Sequence, residues 1–154
     1  LWLPYPRLRE SLALDGQATV APHWRDRAFF RRGWHRPGDR DGESRTSVGR
    51  IAEVHVPLVP GSAYRLSVDV APAVDAPDTT LYLRAYVNGR QLAWQPIAPQ
   101  RGEPLVFEVD REVIGQGGSV VAFRGNRVPR AGGAEGVRDA DARFTVWRID
   151  IAAR

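Results

Sequence analysis

The sequence predicts an all-β domain, built as a two-layer antiparallel β-sandwich of the jelly-roll kind. Three observations lead there. Alternation of apolar and polar residues with a period of two dominates the chain, helical periodicity is nearly absent, and the alternating runs recur at short intervals broken by Gly and Pro. The 154 residues fit one domain spanning 1–154. A chain of that length buries roughly two thirds of the surface its unfolded form exposes, enough for a core without covalent staples.

The elements follow in order. Pro4, Pro6 and the mixed stretch 7–14 fit either a short helix or a first strand. Ala52, Val54 and Val56 make one face of a strand that Pro57 and the Pro60-Gly61 turn end, since proline cannot donate to a ladder. At 64–70, Tyr64, Leu66, Val68 and Val70 share one face and Arg65, Ser67 and Asp69 the other, the pattern of a half-buried strand. Residues 81–87 place Leu81, Leu83, Ala85 and Val87 on one side and Tyr82, Arg84 and Tyr86 on the other. Asn88-Gly89 follows at once and suits a type I′ turn, which needs positive φ at both central positions, so 90–94 is expected to return antiparallel.

Strands at 105–109, 119–124 and 144–151 complete the set. In the last, Thr145, Trp147, Ile149 and Ile151 are expected to face inward, with Arg148 and Asp150 toward water. Proline and arginine are the residues expected to protect the sheet edges. Two irregular stretches remain: 34–49, rich in Arg, Asp and Gly, and 125–142, with Gly132-Gly133, Gly136, Asp139 and Asp141. Loops of that length in a compact domain are usually either functional or mobile.

Composition narrows the chemistry. Cysteine is absent, which excludes disulfides, thiolate metal sites and a cysteine nucleophile. The chain opens on Leu1 without a charged start and a long apolar run, so neither a signal peptide nor a membrane span is expected. All 22 basic residues are Arg, a usage most simply explained by a GC-rich genome. Between His23 and Arg50 eight Arg face four acids (Asp26, Asp39, Asp41, Glu43), while the remainder balances, so the formal charge of +4 sits in one segment.

Three short motifs carry a resemblance. Gly33-Trp34-His35-Arg36-Pro37, Val87-Asn88-Gly89, and Asp141-x-Arg143 ahead of Trp147-x-Ile149-x-Ile151 occur in that order. Together they resemble the loop opening, central hairpin and closing strand of the jelly-roll, carbohydrate-binding-module-like sandwiches appended to bacterial membrane glycosyltransferases and other envelope-polysaccharide proteins. The likeness spans roughly 29–151. Gly38 stands where that family tends to have an acid, and no second Trp follows in the loop. The resemblance implies an extracytoplasmic accessory domain with glycan contacts, part of a longer envelope protein.

Candidate ligand contacts start with the five Trp, because an aromatic face stacks on the C–H face of a sugar ring while polar neighbours hold its hydroxyls. Trp147 reads as a core residue, and Trp94, near a strand end, fits core or surface. Trp24 and Trp34 lie among arginines, where ligand or cation stacking competes with packing. The arginine-rich segment is either a solvated, salt-bridged loop or a reader of anions, since guanidinium suits bidentate carboxylate and phosphate recognition. Nucleic acid is disfavoured: the charge excess is small, acids are interspersed and no nucleic-acid fold motif occurs.

Asp39-x-Asp41-x-Glu43 starts like a calcium loop, but Ser44 and Arg50 stand where an EF-hand needs Gly and an acid. Asp139 and Asp141 remain weak candidates for a structural calcium. His23, His35 and His55 are too scattered for zinc; His55 is expected to face solvent, and His35 is either a sugar-hydroxyl partner or an ordinary loop residue. No Gly-x-Ser-x-Gly elbow occurs, and Gly115-x-Gly117-Gly118 reads as a turn. The expectation is therefore a non-catalytic carbohydrate-binding or scaffold domain of a bacterial envelope glycan system. It would contact a glycan or anionic polysaccharide through Trp34, His35, Trp24, Arg36 and Asp41. The alternative is a structural module docking on a membrane protein or a parent-chain domain; a glycoside hydrolase, with two carboxylates such as Glu135 and Asp139 flanking a bond, ranks third.

Overall fold

The computed structural model describes residues 4–22, 26, 29–35, 44–114, 119–130 and 141–154. Helix α1 (Pro4–Asp15) is followed by β1 (Gln17–Val20), β2 (Arg45–Thr46), β3 (Ile51–Val56), β4 (Tyr64–Pro72), β5 (Thr79–Val87), β6 (Arg90–Ile97), β7 (Leu105–Val109), a 3₁₀ turn at Arg111–Val113, β8 (Ser119–Pro129) and β9 (Phe144–Ala153). Among the described residues the strands form two antiparallel sheets, one in the order β1-β9-β4-β7 with β2 continuing the β1 edge along β9, the other β3-β8-β5-β6. The expected all-β sandwich is the observed one. No described helix is long and apolar enough to cross a membrane.

The alternation read from the sequence is what closes the two layers. Tyr64, Leu66, Val68, Val70, Phe107 and Phe144 from one sheet meet Val54, Leu81, Leu83, Val87 and Phe123 from the other, all nearly free of solvent. Each such side chain contributes about 1.5–3 kcal/mol by leaving water. A run of aromatic contacts crosses this core: Phe107 to Phe123 at 6.3 Å, Phe123 to Phe144 at 6.5 Å, then Phe144 to Trp34 at 5.8 Å and Trp34 to Phe30 at 5.2 Å. The start of the chain resolves as a helix, because Leu8 and Leu12, four apart on one face, are both buried where α1 packs against β1 and β9.

Asn88 and Gly89 have φ of 50° and 82°, the pair of positive values a type I′ turn requires, and β5 and β6 pair antiparallel across it as expected. Asn88 also pins the turn to β8: its carboxamide accepts from the Val120 amide at 3.1 Å and donates to the Val113 carbonyl at 3.0 Å.

Two expectations are corrected. β9 carries a bulge opposite Asp69 and Val70, which shifts the parity of the strand between Val146 and Arg148. Phe144 and Val146 point inward before it and Ile149 and Ile151 after it, so Thr145 and Trp147 lie on the outer face instead of in the core. Trp147 there carries the Arg101 guanidinium 4.6 Å above its ring. β8 also runs on to Pro129, because β5 offers partners along the whole length from Thr79 to Val87. At its far end the half-buried Arg127 donates to the carbonyls of Val74 and Asp141 (2.8 Å) and to the Thr79 hydroxyl (3.2 Å), tying the connection at 73–78 to the segment entering β9. Burial lowers the Arg127 pKa, while Asp141 and Asp75 pull it back up.

Candidate functional site

The segment 29–35 is stitched to both sheets. Phe30 bridges to Val54, the Arg31 amide donates to the Glu53 carbonyl (2.9 Å), and the Glu53 amide donates to the Arg32 carbonyl (2.8 Å), so the free edge of β3 is covered by backbone. Three residues on, Trp34 bridges to Ser47 and the His35 amide donates to the Thr46 carbonyl at 2.8 Å, which joins the same segment to β2. Trp34 is half-buried and makes packing contacts that its polar neighbours did not suggest. Its indole lies edge-on against Phe30 and Phe144, and its Nε1–H donates to the Glu53 carbonyl at 2.8 Å. Packing part of the ring and satisfying its donor are both favourable: Phe30 and Phe144 supply the apolar contacts and the β3 edge the acceptor.

Of the other expected contacts, His35 is exposed beside this corner. Trp24, Arg36 and Asp41 lie outside the described residues, as do Asp139, Glu135 and the Gly115-x-Gly117-Gly118 turn. The Asp141 carboxylate accepts from the Arg143 amide (2.9 Å) and Nε and pairs with Nη2 at 2.6 Å. That guanidinium holds the Asp141 carboxyl below the usual carboxylate range. Among the described residues no cluster of three metal-ligating side chains occurs.

The structure assembles a different surface, the outer face of the four-stranded sheet. Cross-strand register arranges it in rows: Asn126, Tyr82 and Pro96; then Ile51, Arg124, Arg84 and Trp94; then Glu53, Ala122, Tyr86 and Gln91; then His55 and Val120. Tyr82 and Tyr86, four residues apart on β5, are about 13 Å apart by strand rise, with Trp94 on the adjoining strand between them. All three are half-buried. Arg84 lies 4.6 Å over the Trp94 ring and donates from Nη1 to the Gln91 side chain at 2.7 Å; its buried Nε–H has no acceptor among the described residues.

At the β3 edge the face runs into a depression of about 700 Å³ lined by Phe30, Arg31, Arg32, Arg45, Glu53 and His55. The His55 pKa is lowered, first by burial and then by the Arg31 charge, with Glu53 opposing. A histidine whose folded pKa lies below its unfolded value near 6.5 makes the unfolded state the better proton binder. Stability should therefore fall as pH drops through about 6.5. His55→Gln is expected to flatten that part of a denaturant-midpoint profile measured between pH 7.5 and 5.5; an unchanged slope would assign the dependence elsewhere.

Sequence reading placed Tyr82, Arg84 and Tyr86 on one side of their strand without assigning them a role. Three large planar side chains opposite an apolar face were the available signal. What it lacked was the register, including the irregularity between Arg84 and Tyr86, that sets Trp94 directly beside Arg84.

No protein-family model matches this sequence, and no curated protein matches it. Among solved structures, the C-terminal CBM6 of LamC, a marine laminarinase from Zobellia galactanivorans, superposes with a TM-score of 0.53 at 12% identity, over 88% of this chain and 98% of that one. The CBM22-1 xylan-binding domain of Paenibacillus barcinonensis Xyn10C gives a TM-score of 0.47 at 14% identity over 80% and 83%. The class of fold is thus the two-sheet β-sandwich that the CBM6 domain also has, in agreement with the jelly-roll resemblance of the sequence.

Proposed function

We propose that this domain binds a polysaccharide on the outer face of its four-stranded sheet and performs no chemistry on it. The observation that supports this is the half-buried aromatic group of Tyr82, Trp94 and Tyr86 on the outer face, spread along the sheet and interleaved with Arg84, Gln91, Arg124 and Asn126. Such rings stack on sugar C–H faces while amide and guanidinium groups meet hydroxyls. Glu53 is the one carboxylate among the described outward residues of that sheet, and a glycosidase needs two acids flanking the bond. The envelope-glycan context and a place outside the cytoplasm follow from the sequence resemblance and belong to the same reading.

Isothermal titration with soluble polysaccharides tests it. Wild-type protein is expected to bind at least one, and Trp94→Ala and Tyr86→Ala each to weaken that binding by about tenfold or more, as central aromatic contacts do. His35→Ala is expected to leave it unchanged. Affinity that survives both aromatic substitutions would remove this face as the site, and binding lost with His35→Ala would return it to the corner at Trp34.

A further inference from the structure

The two outer faces treat their arginines differently. On the five-stranded sheet, register sets Arg65 opposite Glu108 and Arg148 opposite Asp69. The charges there are paired: Arg65 with Glu108 at 2.9 Å, Arg101 with Asp69 at 2.7 Å and Arg148 with Asp150 at 2.9 Å. On the four-stranded sheet, register sets Arg84 directly opposite Arg124. Directly opposed side chains have Cβ atoms about 5 Å apart, and like charges in that arrangement are destabilising. Among the described residues neither arginine has a carboxylate partner; Arg84 meets only the neutral Gln91 and the face of Trp94, and its Nε–H has no acceptor.

Two arginines at directly paired positions, without a carboxylate partner among the described residues and set among the half-buried aromatic side chains of an outer sheet face, form a receptor for an anionic group. Planar N–H forks suit an oxyanion better than a hydroxyl. We infer that the polysaccharide taken by this face is acidic, and that Arg84 and Arg124 together hold its carboxylate or sulfate group while Trp94, Tyr82 and Tyr86 hold the rings. This rests on the polysaccharide reading above and adds the charge of the ligand to it. The depression beside it, with Arg31, Arg32 and Arg45 against Glu53, extends the same basic field along the face.

The test titrates wild-type protein, Arg124→Gln, Arg84→Gln and Trp94→Ala with polygalacturonate, a sulfated galactan and a neutral galactan. Wild type is expected to prefer an acidic polymer over the neutral one by about tenfold, with affinity falling as salt rises. Arg124→Gln, exposed and free of protein partners among the described residues, is expected to lose that preference while melting no lower than wild type. A merely structural arginine would move the melting temperature instead. Binding of polygalacturonate alone assigns the site to carboxylates, and binding of both acidic polymers assigns it to either anion. Equal or tighter binding of the neutral galactan, with both arginine variants unaffected and Trp94→Ala defective, overturns the acidic ligand and leaves polysaccharide binding standing. Failure to bind any polymer overturns both.

Discussion

Gly33→Ala is expected to lower stability by about 3 kcal/mol or more and the melting temperature by roughly 6–12 °C. Gly33 has φ of +86°, where a side chain costs about 1–2 kcal/mol by itself. A Cβ there would also lie 2.3 Å from the Ile51 carbonyl oxygen and 2.8 Å from the Ala52 Cα. Both are backbone of β3, so nothing can swing aside without breaking the ladder to β8. Gly61 supplies the control: it has the same φ of +86° and open space around it, so Gly61→Ala should show the conformational cost without the collision. Equal losses at the two positions, read by thermal melting, would mean that the segment 29–35 does not lie against β3 as described.

Trp34→Ala is expected to cost about 3–5 kcal/mol, the range for removing a large packed aromatic. The loss joins two effects. The ring's contacts with Phe30 and Phe144 disappear, and the Glu53 carbonyl loses one of its two donors, keeping only the Arg31 amide. Trp34→Phe retains most of the packing and should cost nearer 1 kcal/mol, the value of a net hydrogen bond. Chemical denaturation separates these readings. A stable Trp34→Ala protein that has lost polysaccharide binding would make Trp34 a ligand contact; a destabilised one that still binds at low temperature makes it part of the frame that carries the binding face.

Much of the architecture was legible because its causes are local. Strand alternation at 52–56, 64–70 and 81–87 depends only on each residue's preference for core or water, and Asn88-Gly89 names its own turn. Trp147 shows the limit. Its inward assignment assumed that parity established at Ile149 and Ile151 continued backward, and one bulge against Asp69 and Val70 reversed it. A single extra residue has no signature in the alternation until the partner strand is known.

The candidate site divides in the same way. Aromatic and arginine content was visible, and the choice of Trp34 as a contact followed from its polar neighbours. Those neighbours do not tell that β3 passes beneath the indole with a carbonyl in reach. Conversely, nothing near Trp94 in the chain announces Arg84, and nothing near Arg84 announces Arg124. By itself, then, the sequence determined that this chain folds as two facing antiparallel sheets, since burial and turn chemistry act within a few residues. Tertiary structure alone decided what each indole packs against, and that two arginines stand at paired positions without a carboxylate partner among the described residues. Those outcomes depend on the register between strands that are distant along the chain, and register is set by the closure of the whole core.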